Sequence, residues 1–289
     1  MVILIVGATG LVGRAVLSQL VARGVAVRAL VRSPEKTAAV TAPGVDVVLG
    51  DLAQPASLDT ALQGVTRALL LSPHHPRQVE LQGHFVAAAQ RAGPIHIVKL
   101  SGLGTALDSP LHSGRWHAQT EQAIVDAGLP FTFLHPLFFM QNLLRSAAEV
   151  AAHGVLTAAM QAGRIAMIDA RDVAAVAVTA LTERGHTGRT YTLTGPEALS
   201  FAAVAEALSA AIGTRILYRD LSLADLRSQM VESGLPDWLI DVRMEFAAVL
   251  RADYAATVTP TVAAVTGQQP RTLAAFVREH AVLFQAQPL

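Results

Sequence analysis

The chain has 289 residues, 52% hydrophobic and 15% charged, enough for one large domain or a domain with a cap around a sizeable core. Its 22 basic residues balance 22 acidic ones, so no net field draws it toward nucleic acid or an anionic membrane surface, and neither partner is expected. Cysteine is absent, which excludes disulfides, thiolate metal sites and thiol nucleophiles and fits a reducing, cytoplasmic setting.

Val2-Ile3-Leu4-Ile5-Val6 is an apolar run rich in β-branched residues that stops at Gly7. It reads as a strand buried on both faces of a parallel sheet, and no basic stretch marks it as a leader. From Leu11 to Arg23 the apolar residues Val12, Val16 and Leu20, with Leu17 and Val21, recur every four positions, and Gly24 can cap the end. That period predicts a helix. Further strands are expected at 25–31, 46–49, 68–71, 95–100 and 131–134, with helical stretches between most of them. The alternation predicts a Rossmann-type, doubly wound parallel α/β sheet whose ligands sit at the carboxyl ends of the strands. After His135-Pro136 a helix-like apolar segment runs from Phe138 to Val150, 172–181 reads as another helix and 190–193 as another strand. The remainder is mainly helical. No stretch reaches the roughly 18 uninterrupted apolar residues of a spanning helix, so a soluble chain is expected.

The turn after the first strand is Gly7-Ala8-Thr9-Gly10-Leu11-Val12-Gly13. A dinucleotide pyrophosphate needs backbone amides free to face it, hence a turn without bulky side chains leading into a helix N-terminus. The G-x-x-G-x-x-G spacing is one residue longer at its first step than the common fingerprint. Its place between strand and helix points to a nucleotide site formed by Gly7, Thr9, Gly10, Leu11 and Gly13. An NAD-specific sheet ends its second strand with an acid for the ribose 2′-OH, whereas an arginine there accommodates a 2′-phosphate. Here the strand ends in Val31-Arg32-Ser33-Pro34-Glu35-Lys36. Arg32, with Lys36 adding charge, predicts NADP(H) in preference to NAD(H); the alternative is a solvated basic loop. Asp51, followed by Leu52, either approaches the adenine amino group or caps the next helix. Leu71-Ser72-Pro73, ahead of His74-His75, is expected to line the cofactor channel, and a metal site is not expected. Residues 1–135, with a returning segment around 168–194, are expected to form the NADP-binding domain, and 136–289 a mostly helical, substrate-binding cap.

The glycine turn resembles that of the NmrA-like family of atypical short-chain dehydrogenases. So do Arg28-Ala29-Leu30-Val31-Arg32-Ser33-Pro34, Gly50-Asp51, Trp116-His117-Ala118-Gln119-Thr120-Glu121-Gln122, Leu129 to Pro136, and Asp172-Val173-Ala174. The similarity extends over most of the chain and is nearest to the NADPH-dependent quinone, azo-dye and triphenylmethane reductases of that family. The family also includes regulators of the NmrA type, which bind dinucleotide as a signal and act on a protein partner.

Most short-chain dehydrogenases use a Tyr-x-x-x-Lys pair, the lysine lowering the phenol's pKa for proton exchange with a carbonyl. The tyrosines here are Tyr191, Tyr218 and Tyr254, and the residues four positions on are Gly195, Ser222 and Val258. No such pair exists. Quinones and extended azo or cationic dyes take hydride onto a conjugated system, so a reductase for such acceptors fits. By the resemblance, Trp116 falls near the lost tyrosine and Thr120 near the lost lysine. His117 can donate a proton, or instead pair with Glu121 along one helix face. Ser101 stands where the wider family places a substrate-polarising serine, or serves a simple turn. Lys99, odd within an apolar strand, either points into the site or pairs structurally. His117, Ser101 and Lys99 are the catalytic candidates. The family commonly shows Leu-Arg-Pro where this chain has Leu134-His135-Pro136, which leaves the part played by His135 open. By the resemblance, Pro136 and Leu137 lie beside the nicotinamide. Trp116, Phe138, Phe139 and Asn142, with Met140, either wall the substrate pocket or pack as core. Asp172 is expected to cap a helix. The expected activity is hydride transfer from NADPH to a small conjugated acceptor, by a monomer or homodimer. The alternative is a non-catalytic NADP(H) sensor.

Overall fold

The apolar run at the start of the chain becomes β1 (Val2–Val6), with Ile3, Leu4, Ile5 and Val6 enclosed by protein. The computed structural model describes residues 2–285. After β1 come α1 (Leu11–Ala22), β2 (Val27–Val31), β3 (Val45–Leu49), α2 (Pro55–Ala61), β4 (Val65–Leu70), α3 (Gln78–Ala92), β5 (His96–Leu100), α4 (His112–Asp126) and β6 (Phe131–Pro136). The chain continues through α5 (Ala147–His153), β7 (Val155–Ala158), β8 (Arg164–Ile165), α6 (Ala170–Thr182), β9 (Arg189–Leu193), β10 (Leu199–Ser200) and α7 (Phe201–Ile212). It ends with β11 (Leu217–Asp220), α8 (Leu223–Glu232), α9 (Asp237–Arg251), α10 (Thr261–Thr266) and α11 (Leu273–Glu279).

The described residues of Met1–Pro136 and Ala170–Thr192 form one compact unit, and those of Leu137–Asp169 and Leu193–Leu289 a second. Seven strands make one sheet in the order β3-β2-β1-β4-β5-β6-β9, and the pairings from β3 to β6 are all parallel. This is the doubly wound arrangement. Strand order reverses between β1 and β4, which opens a crevice at their carboxyl ends where a ligand can enter. α1 packs against α6, and α3 against α4. Val16, Leu17 and Leu20 of α1 are buried, the face set by the four-residue period.

In the second unit, β7 pairs with β11 in parallel and β8 with β10 antiparallel. The segment expected to be one helix from Phe138 to Val150 is instead extended through Phe139, a 3₁₀ turn over Met140–Ser146 and then α5. Backbone bonds from Ile168 N to Phe138 O (2.9 Å) and from Met140 N to Ile168 O (2.9 Å) hold its start out of helix. A pairing with a distant segment thus overrides an apolar period. Asp172 also differs from expectation: it lies inside the first turn of α6, where its charge suits the helix dipole, and does not stand ahead of the helix as a cap. Among the described residues no helix is long and apolar enough to cross a membrane.

Candidate active site

The glycine turn lies at the strand-order reversal. Gly7 adopts φ +80°, and a Cβ there would collide with the side chain of Leu71 just past β4. The Gly10 amide donates to Gly7 O (3.0 Å) and the Arg14 amide to Gly10 O (2.9 Å), which closes the turn into α1. A Cβ on Gly13 would run into the Gly7 carbonyl, so only glycine lets the helix seat so close to the strand. Gly10 caps α1 without a side-chain hydrogen bond, and no acid stands in the first turn. The first amides of α1 thus remain available to an anion, as a pyrophosphate cradle requires. Thr9 is half-buried beside them, and Leu11 is exposed.

Arg32 and Lys36 stand exposed just beyond β2. The Ser33 hydroxyl and its own backbone amide hold the Glu35 carboxyl below the usual carboxylate range. The Asp51 carboxylate accepts from the Ala53 amide (2.9 Å), while the Ser57 hydroxyl accepts from the Asp51 amide (3.0 Å). The half-buried aspartate therefore tightens the turn before α2. Leu52 O bonds His84 Nδ1 (2.7 Å), the Ser72 hydroxyl accepts from Gln82 Nε2 (2.8 Å), and Pro73 is exposed.

Lys99, Ser101 and His117 come together. Lys99 registers with Leu70 of β4 and Phe133 of β6, so its side chain starts from mid-sheet, and it is fully enclosed. Its Nζ donates to Ser101 Oγ (2.8 Å) and lies 2.9 Å from His117 Nδ1. Alternation along β5 puts Lys99 and Ser101 on one face of the sheet, and α4 lays His117 over them. Burial pushes the Lys99 ammonium down to about 7, the nearby Glu121 carboxylate opposing that shift. Burial, then Lys99, His74 and His135, hold His117 well below its usual value, so its ring is neutral. The Lys99 ammonium has only donors, so in that state Nδ1 accepts and the proton of the neutral ring sits on Nε2. His74 closes edge-on over His117 at 5.7 Å between ring centres.

Four further side chains, whose place there the sequence alone did not reveal, join the cluster. Ser101 Oγ donates to Glu121 Oε1 in a short hydrogen bond, and His135 Nε2 meets the same oxygen at 2.9 Å. His135, where the resemblance leads one to expect arginine, is thus the partner of Glu121. Gln78 Nε2 lies 3.1 Å from His117 Nδ1, and the Oε1 atoms of Gln78 and Gln82 are buried without a hydrogen-bond partner. Glu121, four residues after His117, and His135, a departure from the family pattern, were the visible signals, and the His117 and Glu121 side chains join through Lys99 and Ser101.

Trp116 is half-buried on α4 with its ring 6.2 Å from that of His112. Pro136 ends β6, while Leu137, Phe138, Phe139 and Asn142 belong to the second unit. There the Leu137 amide donates to Leu193 O (3.1 Å), the Phe138 ring stands 6.4 Å from Phe201, and Asn142 N bonds Phe139 O (3.0 Å).

Comparison with known proteins bears on what such a site serves. The model of the NmrA-like family matches residues 1–277. An NAD(P)H azoreductase of Xenophilus azovorans is 41% identical, the match covering 98% of this chain and 99% of the relative. The NADPH complex of an Escherichia coli quinone oxidoreductase superposes with a TM-score of 0.88 at 31% identity, covering 98% of this chain and all of the other. A Citrobacter triphenylmethane reductase complexed with NADP(H) superposes at 0.85 with 27% identity, covering 97% of this chain and all of the other.

Proposed function

The chain belongs to the NmrA-like family, and we propose that it is an NADPH-dependent reductase of flat conjugated acceptors, quinones and azo compounds foremost, with His117 as the proton donor. The observation that carries this reading is the hydrogen bond between the enclosed Lys99 ammonium and His117 Nδ1, in a chain without Tyr-x-x-x-Lys. Gly7, Gly10, Gly13 and the start of α1 fit the pyrophosphate of NADP(H), and Arg32 with Lys36 its 2′-phosphate. The cofactor, when bound, supplies hydride.

Reduction of a quinone or an azo bond consumes one hydride and one proton. A neutral imidazole cannot give up its Nε2 proton alone, because an imidazolate would result. Lys99 removes that obstacle: as Nε2–H passes its proton to the acceptor oxygen or nitrogen, Nδ1 takes one from the ammonium. The imidazole changes tautomer without changing charge, and Lys99 becomes a neutral amine. A lysine brought down to about 7 gives up that proton near neutral pH at little cost. Ser101 holds the ammonium in place.

The test is NADPH oxidation against a panel of quinones and azo dyes, with binding titrations of NADPH and NADH. Turnover is expected, falling about 10²-fold in His117→Ala with little change in NADPH affinity, the usual scale for losing a general acid. Tight NADPH binding with no turnover of any acceptor would sink the enzyme and leave the sensor.

A further inference from the structure

A lysine that gives away its proton in each turnover must regain one, and Lys99 itself has no exposed surface. Ser101 and, from α4, His117 bond it directly, and the Glu121 carboxylate of α4 and His74 after β4 act on it by charge. His135 of β6 reaches it only through Glu121, and the neutral Gln78 of α3 only through His117. Gln78 cannot carry charge, and His74 is held below its usual value by burial and by Lys99. On the other side the hydrogen bonds are continuous: Lys99 Nζ to Ser101 Oγ, Ser101 Oγ to Glu121 Oε1, and Glu121 Oε1 to His135 Nε2. Exposure rises in the same direction, from 0% at Lys99 to 13% and 17% for the side chains of Glu121 and His135.

We propose that Glu121 and His135 form the solvent end of a proton path that recharges Lys99 through the Ser101 hydroxyl. The proposal rests on the reading of His117 and Lys99 as the proton source, and it makes Glu121 and His135 positioning residues that act through Lys99. The balance is one proton. A proton that His135 takes from hydronium or a buffer acid passes on to the Glu121 carboxylate, leaving His135 as it began; Glu121 passes it to Ser101 Oγ, and Ser101 hands its own hydrogen to the Lys99 amine. Serine and glutamate end as they began, the lysine is again an ammonium, and no electrons move. Histidine suits the entry point because an imidazole can take a proton on one ring nitrogen and pass one on from the other. An arginine there would stay charged and could only anchor the carboxylate.

Two acceptors separate proton delivery from hydride delivery. A quinone needs a hydride and a proton, whereas a triphenylmethane dye cation becomes its neutral leuco form by taking hydride alone. In Glu121→Gln and His135→Asn the ratio of quinone to dye turnover is expected to fall about tenfold or more, part of the contribution of a general acid. An unchanged ratio in both variants, with NADPH affinity retained, overturns the proton path. If His117→Ala alone lowers the ratio, the proton donor stands and the path to it falls; if wild-type protein reduces neither acceptor, the functional reading itself has failed. Should the variants lose NADPH binding, the solvent deuterium isotope effect of the wild type decides. A quinone-specific effect whose proton inventory needs more than the two protons of His117 and Lys99 supports the path; a two-proton inventory, or equal effects on both acceptors, overturns it.

A readout without turnover comes from the free protein. Carbon-13 labelling of lysine yields signals from Lys36 and Lys99 only. Lys99 is expected to titrate at about 7, and because Glu121 raises that value, Glu121→Gln should move the midpoint down. A midpoint that does not move overturns the link between Glu121 and Lys99.

Discussion

Lys99 is expensive to bury, and that cost has a pH signature. Its folded value of about 7 lies below the ordinary 10.5, so between these values the unfolded chain holds more protons than the folded one. Stability from this group therefore rises as pH climbs from about 7 toward 10.5, and its full charging penalty applies below 7. Urea unfolding from pH 6 to 10 checks this: the wild type minus Lys99→Met difference should shift in favour of the wild type with rising pH, and a flat difference would show the ammonium to be better compensated than its burial implies. Arg32 is the opposite kind of residue, exposed and free to meet a ligand. Arg32→Asp should cost NADPH binding about 2 kcal/mol, the scale of a hydrogen bond between charged groups, and leave NADH nearly untouched. Equal losses in calorimetric titrations would remove the 2′-phosphate from Arg32.

Elements set how accurately such residues are held. α1 starts as close to β1 as it does because Gly13 has no Cβ to meet the Gly7 carbonyl. Gly13→Ala should destabilise by about 1–3 kcal/mol, as overpacking does elsewhere, and weaken NADPH and NADH alike, since both carry a pyrophosphate. Denaturant midpoints together with titrations of both nucleotides separate this from the Arg32 effect, which discriminates between them. α4 does a different job: its i, i+4 spacing presents His117 and Glu121 on one face, and β5 with the residue just past it supplies Lys99 and Ser101 between them. Helix and strand periods interlock there to make a polar chain within an apolar layer.

For the whole molecule, NADPH binding should appear as added stability. A ligand at 100 times its dissociation constant adds about 2.7 kcal/mol to a protein that binds it only when folded. Thermal melts with NADPH and NADH at equal concentration should therefore differ, NADPH giving the higher midpoint. Equal midpoints would count against NADP(H) preference. In Arg32→Asp the gap should close.

The strand and helix alternation, the glycine turn and the arginine after the second strand were all legible in the sequence, because each is a local signal: a period, a steric requirement, a charge at a strand end. Lys99 stood out as a charge in an apolar run, and His117 as a titratable neighbour of the lost tyrosine. Their contact was not legible, since 18 positions separate them and nothing local brings β5 under α4. His135 shows the same limit: the departure from arginine was visible, but its meaning depended on Glu121 across the sheet surface. The 3₁₀ turn after Phe139 also depended on a distant strand-like pairing with Ile168. The sequence by itself determined the sheet class, the glycine turn between strand and helix and the lack of a tyrosine–lysine pair. Tertiary structure alone decided which side chains hydrogen-bond to one another, because bonds between buried groups depend on distances of ångströms that only the packed strands and helices set.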